Sequence, residues 1–233
     1  MRMMVVFEKG RDLRFIGHLD LMRAMQRALR RSGLPIRYSN GFNPHIRLSF
    51  AAPLSVGVAG LRELMEVPVE DGVTERAFTD AMNASLPACL RIRECRAVED
   101  GFPTLMSLVA GSRYVSRFAQ TPEAKKAVGR LDDFMRLEEY IAVRRTKSGE
   151  KPCDIRPFVA NARIEENGES GGEFCLTLET LQTGAGALKP SLWLRCLCAF
   201  AGAEPFDFET TRTAILGRNP KGVLVPLEEL ADG

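Results

Sequence analysis

The chain has 233 residues, 45% hydrophobic and 27% charged, with a formal net charge of +2. These proportions exclude a disordered or collagen-like chain and describe a globular protein with one large core or two ordinary ones. No apolar run approaches the roughly 20 residues that span a bilayer, and "MRMMVVFEKGR" is too short in apolar residues for a secretion signal, so no membrane contact and a cytoplasmic location are expected.

In chain order, "MMVVFEK" reads as a strand and "LRFIGHLDLMRAMQRALRRSG" as a helix. Leu21, Met22, Met25, Ala28 and Leu29 share one helical face, while Asp20, Arg23, Arg27, Arg30 and Arg31 take the opposite one. Gly33 and Pro35 stop the helix. "PIRYS" and "HIRLSFAAP" are strands around an "NGFNP" turn, and "LRELMEVPVE" is another. "TERAFTDAMNASLP" is a second helix with Thr74 as N-cap and Phe78, Met82 and Leu86 on one side. "LRIRECRAVE" completes β-α-β-β-α-β, the ferredoxin-like order, over residues 1–100.

"DGFPT" reads as a linker, and the order then recurs over 105–218. "SLVAGSRYVSRFA" is a strand. "TPEAKKAVGRLDDFMRLEEY" is one helix, with Thr121 as cap, Pro122 at its first position, and Val128, Leu131, Met135 and Leu137 on one side. "IAVRRT", a "KSGEKP" turn and "CDIRPFVANARIEE" form a hairpin-like segment. "EFCLTLETL" is a strand, "KPSLWLRCLCAFAGA" an apolar helix ending at Gly202, and "FETTRTAIL" the last strand. Residues 219–233 read as a surface-running tail. The expectation is therefore an α+β protein of two tandem ferredoxin-like (βαββαβ) units, each with a glycine turn ahead of an arginine-bearing strand.

Charge is unevenly placed. Residues 1–60 hold nine arginines and Lys9 against Glu8, Asp12 and Asp20, a local net of +7, and the remainder carries −5. A basic end of this kind suits a polyanion such as RNA. The alternative is a solvated face whose arginines pair with acids elsewhere. Arg23, Arg27, Arg30 and Arg31 form a ridge fit to track phosphates. Tyr38 and Phe42 are placed to stack on unpaired bases, Phe50 is expected to face a core, and Asn43 and Arg47 complete the contact surface. In the second unit Lys147, Lys151 and Arg156 would extend the track.

No cofactor-binding fingerprint is present: there is no P-loop, no dinucleotide-binding glycine pattern and no G-x-S-x-G elbow. A structural zinc needs four Cys or His ligands in close pairs. The six cysteines are scattered, and the side chains of Cys196 and Cys198 point about 200° apart on a helix, so no metal is expected. His18 and His45, the only two histidines, lie close in sequence to this arginine-rich stretch. Metal-free RNA cleavage asks for one base, one acid and cations for the phosphorane, which His18, His45 and the arginines could supply. The plainer alternative for His18 is a half-buried ring hydrogen-bonded to a neighbouring backbone group.

The stretch from Arg14 to Val58 closely resembles the radical-SAM-linked protein family, a domain of undetermined function. The residues that carry the likeness are Gly17 to Asp20, Arg23 to Arg31, Leu34–Pro35, Ser39 to Pro44, and Pro53 to Gly57. A second motif is similar at Asp154, Arg156 and Pro157. The resemblance implies a partner, since members occur fused to or encoded beside a cobalamin-binding type of radical-SAM protein. At fold level, tandem ferredoxin-like units also resemble CRISPR repeat-processing endoribonucleases, though their glycine-rich C-terminal loop is not found here. The expected function is an RNA-binding accessory protein that presents a transfer or ribosomal RNA to a partner radical-SAM enzyme. A metal-independent endoribonuclease and a protein-docking module without RNA contact are the alternatives.

Overall fold

A computed structural model describes residues 1–146, 149–167, 172–184 and 186–232. The chain is a mixed α+β protein whose contacts divide it into two units, residues 1–110 with 212–233, and residues 111–211.

In the first unit, β1 (Arg2–Lys9) lies between β3 (Val58–Pro68) and β4 (Leu90–Val98) and runs antiparallel to both. The short β2 (Ser49–Phe50) pairs antiparallel with β3. Helices α1 (His18–Arg31) and α2 (Glu75–Ser85) connect these strands. Thr74 caps α2 as its sequence predicts, its Oγ1 accepting from the Ala77 N–H at 3.2 Å. The contiguous run "MMVVF" reflects a strand buried on both faces. Met3, Val5 and Phe7 pack with Leu21, Met25 and Leu29 of α1 and Phe78 and Met82 of α2. Met4 and Val6 face the other way.

That second face decides the fate of the C-terminus. The tail expected along the surface instead forms β12 (Leu224–Pro226), antiparallel to the end of β11 (Glu209–Arg218), and then a 3-10 turn from Leu227. Leu227 joins Met4, Val6, Leu64 and Ile215 in a core, together with Leu105 of the short helix α3 (Leu105–Leu108). The division between units therefore falls after Ala110, beyond the expected linker, and the chain end returns to the first unit. A sheet with two apolar faces must be covered twice. Leu227→Ala is expected to cost about 2–5 kcal/mol, the usual range for a core leucine, read from the urea midpoint. A surface residue would change it by less than about 0.5 kcal/mol.

In the second unit, β9 (Glu173–Thr183) pairs antiparallel with β5 (Gly111–Ala119) and β8 (Val159–Asn167), and the two-residue β10 (Gly186–Ala187) folds back on it. The single helix expected over 121–140 is broken into α4 (Pro122–Val128) and α5 (Leu131–Arg136) at Gly129 and Arg130. Glycine is a poor helix former, and the break re-phases the buried face onto Ala124, Ala127, Leu131 and Phe134. Val128, Met135 and Leu137 are only partly buried. Helix α6 (Pro190–Ala201) places Trp193, Leu194 and Leu197 against this core. Strands β6 (Ile141–Thr146) and β7 (Gly149–Asp154) form a separate hairpin, and a 3-10 turn at Arg156–Phe158 divides β7 from β8 where one segment was expected. No described helix is long and apolar enough to cross a membrane.

Candidate nucleic-acid interface

Helix α1 is amphipathic in the manner its sequence dictates. Leu21, Met25, Ala28 and Leu29 are buried, while Arg23, Arg27, Arg30 and Arg31 are exposed. Arg23 pairs with Asp20 one turn earlier at 3.1 Å, and Arg31 donates to the Ser85 carbonyl at 2.7 Å. Arg27 and Arg30 have no partner among the described residues. Elsewhere in the basic segment ion pairing does operate. Arg2 is held by Glu66 at 2.6 Å, and Arg37 by Asp100 at 2.9 Å with Glu70 and Asp71 nearby. The Arg37 hydrogen bond holds the Asp100 carboxyl below its ordinary range.

The loop after α1 is closed by its own polar groups. Tyr38 bridges Ile46, the Ser39 N–H donates to the His45 carbonyl at 2.9 Å, and the His45 N–H donates to Ser39 Oγ at 3.0 Å. Gly41, at φ 122°, makes the reversal that a side chain would strain. The turn leaves Phe42 fully in solvent and Tyr38 45% exposed. Asn43 and Arg47 are also exposed. A fully exposed phenylalanine at the tip of a pinned loop offers a flat apolar face without needing to rearrange.

The two histidines have separate neighbours. The His18 ring meets Phe50 edge-on with centroids 5.3 Å apart, and Phe50 is buried against Phe7 as its strand position predicts. His45 Nδ1 lies 2.7 Å from Ser39 Oγ. Neither ring is hydrogen-bonded to the other or to a carboxylate among the described residues.

Below the start of α1 lies a charged cluster that the sequence reading missed. Glu63 and Arg212 are both nearly inaccessible, with Arg212 Nε 2.8 Å from Glu63 Oε1. Arg212 also donates to the Ala52 and Pro53 carbonyls at 3.1 Å each. Lys9, equally buried, donates to the Ile16 carbonyl at 3.1 Å, and the Gly57 N–H donates to the Arg14 carbonyl at 2.8 Å. Gly60 leaves the space: a Cβ there would stand 2.5 Å from Glu63 Cγ. Burial lowers the pKa of Lys9, Glu63 raises it and Arg212 lowers it further. The Pro53–Gly57 and Arg14–Gly17 segments are thus tied together from beneath. Three charged residues within apolar strand sequences are the trace this cluster leaves in the sequence.

In the second unit Lys151 is exposed. Lys147 lies outside the described residues. Arg156 is not a free phosphate ligand: its guanidinium donates to the Leu137 carbonyl at 2.7 Å and the Met135 carbonyl at 3.2 Å, closing the end of α5. Asp154 Oδ1 accepts from the N–H groups of Tyr140 and Arg156 at 2.9 and 3.0 Å. The Asp154–Arg156 motif therefore builds the base of the hairpin. All six cysteines are free, and burial pushes the thiols of Cys95 and Cys196 up to about 12 and about 11. Among the described residues no cluster of three His, Cys, Asp or Glu side chains is spaced to hold a metal ion.

A family described as "uncharacterized protein conserved in bacteria (DUF2344)" matches residues 2–190. The chain belongs to this family. The match spans β1 through the first residue of α6, so the arginine helix, the Phe42 loop and the hairpin are all features of a DUF2344 segment. A comparison with curated proteins gave no match. Among solved structures, the DUF2344 chain is similar to a chain of a Cbf5–Nop10–Gar1 complex, with a TM-score of 0.50 and 11% identity. The likeness covers 91% of this chain and 48% of that one, so the DUF2344 chain spans about half the length of its solved relative. At this identity the likeness concerns the fold alone.

Proposed function

We propose that the chain is an RNA-binding accessory protein of the cytoplasm. It presents a structured RNA, transfer or ribosomal, to a partner radical-SAM enzyme of the cobalamin-binding type. The observation that carries this reading is Arg27 and Arg30, exposed one turn apart on α1 with no acid to neutralise them among the described residues. Unpaired cations on a rigid helix suit phosphates, and Phe42 supplies a stacking surface. The strand pairings β4–β1–β3–β2 and β5–β9–β8 support reading both units as ferredoxin-like. The partner rests on the resemblance to the radical-SAM-linked family.

Binding and cleavage are separated in one experiment. Labelled transfer RNA is incubated with the purified chain in EDTA, with affinity and RNA length read together. The expected result is salt-sensitive binding and intact RNA, for wild type and for His18→Ala and His45→Ala alike. Phe42→Ala should weaken binding by about 1–3 kcal/mol, the range for one base–aromatic stack. EDTA-resistant cutting that slows by about 10²–10⁴-fold on loss of either histidine would replace this reading with the nuclease. Absence of RNA binding at low salt would leave the protein-docking module.

A further inference from the structure

The second unit holds a groove of about 510 Å³ lined by Val143, Arg144, Glu150, Lys189, Leu192 and Arg195. One wall is the β6–β7 hairpin and the other is the start of α6. Lys189, Leu192 and Arg195 stand at i, i+3 and i+6, so they form one ridge with the leucine between the two cations. The ridge rises roughly 9 Å along the helix. Across it, Val143 is 61% exposed.

The surroundings of these cations differ from those of the arginines on and beside α5. On α5, Arg136 and the preceding Arg130 both pair with Asp133, at 3.5 and 3.0 Å. These are solvated cations with local counter-charges. Helix α6 carries no acidic residue. Lys189 and Arg195 are exposed and have no partner among the described residues. Arg144 is anchored in the groove, donating to the Ala187 carbonyl at 2.8 Å with its guanidinium 5.8 Å from the centre of the Phe158 ring. One fixed cation, two free ones and an apolar strip of Val143 and Leu192 are thus collected on the groove.

We propose that this groove binds a single-stranded segment of RNA, with phosphates at Lys189 and Arg195 and a base laid on Val143 and Leu192. This rests on the RNA-binding reading above and adds a second contact that the arginine helix does not provide. Alternating cations and apolar surface match the alternating phosphates and bases of an unpaired strand. Among the described lining residues, Glu150 alone opposes the charge.

The test uses the full chain and labelled oligouridine, with affinity measured across a salt series. Poly-glutamate serves as a second probe. Lys189→Glu with Arg195→Glu should weaken oligouridine binding roughly tenfold and lower the slope of log affinity against log salt by about 1–2. Lys189→Gln with Arg195→Gln should lower the slope without adding negative charge, and Lys125→Glu with Arg136→Glu should change little. Unchanged binding by both groove variants, while Arg27→Glu with Arg30→Glu still weakens it, would overturn the groove and leave the RNA-binding reading standing. No oligouridine or transfer RNA binding by wild type would overturn both. Equal affinity for poly-glutamate, lost in the same variants, would replace RNA with an acidic protein segment.

Discussion

Exchanging both Arg27 and Arg30 for glutamate is expected to remove most RNA affinity while leaving the fold intact. Both side chains point to solvent, and the buried face of α1 is carried by Leu21, Met25, Ala28 and Leu29. Surface substitutions away from special features usually change stability by less than about 0.5 kcal/mol. Each arginine that neutralises a phosphate releases counterions, so losing two contacts should reduce the salt slope by about 1–2. Reversing the charge adds repulsion, and affinity at physiological salt should fall by roughly one to two orders of magnitude. The control is Glu165→Lys with Glu166→Lys, exposed acids on β8 of the second unit. A gain from the glutamate pair as large as the loss from the arginine pair would mean that net charge, rather than a local face, governs binding. The measurement is fluorescence anisotropy with labelled transfer RNA at several salt concentrations.

Glu63→Gln is expected to be the most destabilising single change, at about 3–5 kcal/mol, because it strands buried charge. Glu63 holds the buried Arg212 through both carboxylate oxygens, and Lys9 lies in the same electrostatic field. Removing its charge takes away the carboxylate that Arg212 contacts and that favours the charged form of Lys9. Arg212→Met in addition should recover part of the loss, since a buried pair replaced by apolar groups is often tolerated. Lys9→Met should cost less than Glu63→Gln, because it removes a cation whose charged form burial and Arg212 already disfavour. Urea unfolding of the variants and the double mutant checks these ranks. The same cluster sets a pH trend. Lys9 has a folded pKa below its ordinary 10.5. The unfolded chain therefore binds more protons between those two values, and Lys9's contribution to stability improves as pH rises through that window. Below it, the full cost of burying the ammonium remains.

The two effects are connected through the start of α1. Arg212 holds the Ala52–Pro53 carbonyls, Lys9 holds the Ile16 carbonyl, and Gly57 holds that of Arg14. These bonds fix where α1 begins, and so where its exposed arginines stand. A partial loosening by Lys9→Met should therefore shift RNA affinity less than Arg27→Glu with Arg30→Glu, but more than a surface substitution.

The sequence by itself determined the local elements whose period is unbroken. Helix α1 follows from apolar residues three and four apart with arginines opposite, and its buried face is the one expected, with Met22 only partly covered. Thr74 and Thr121 act as caps because a side-chain oxygen two or three residues ahead of free N–H groups has an obvious partner. The exposed Phe42 follows from a glycine–proline turn too tight to bury its tip. Tertiary structure decided what depends on distant partners. The apolar Met4 and Val6 announce a second covered face but not its cover, which comes from Leu105 and Leu227, far along the chain. Arg156 resembles Arg27 on paper, yet nearby carbonyls that only folding brings together claim it. The Glu63–Arg212 pair joins residues 149 positions apart. Pattern reveals which residues must leave water, because that is a property of each side chain. It does not reveal which group meets which, because that is a property of the closed chain.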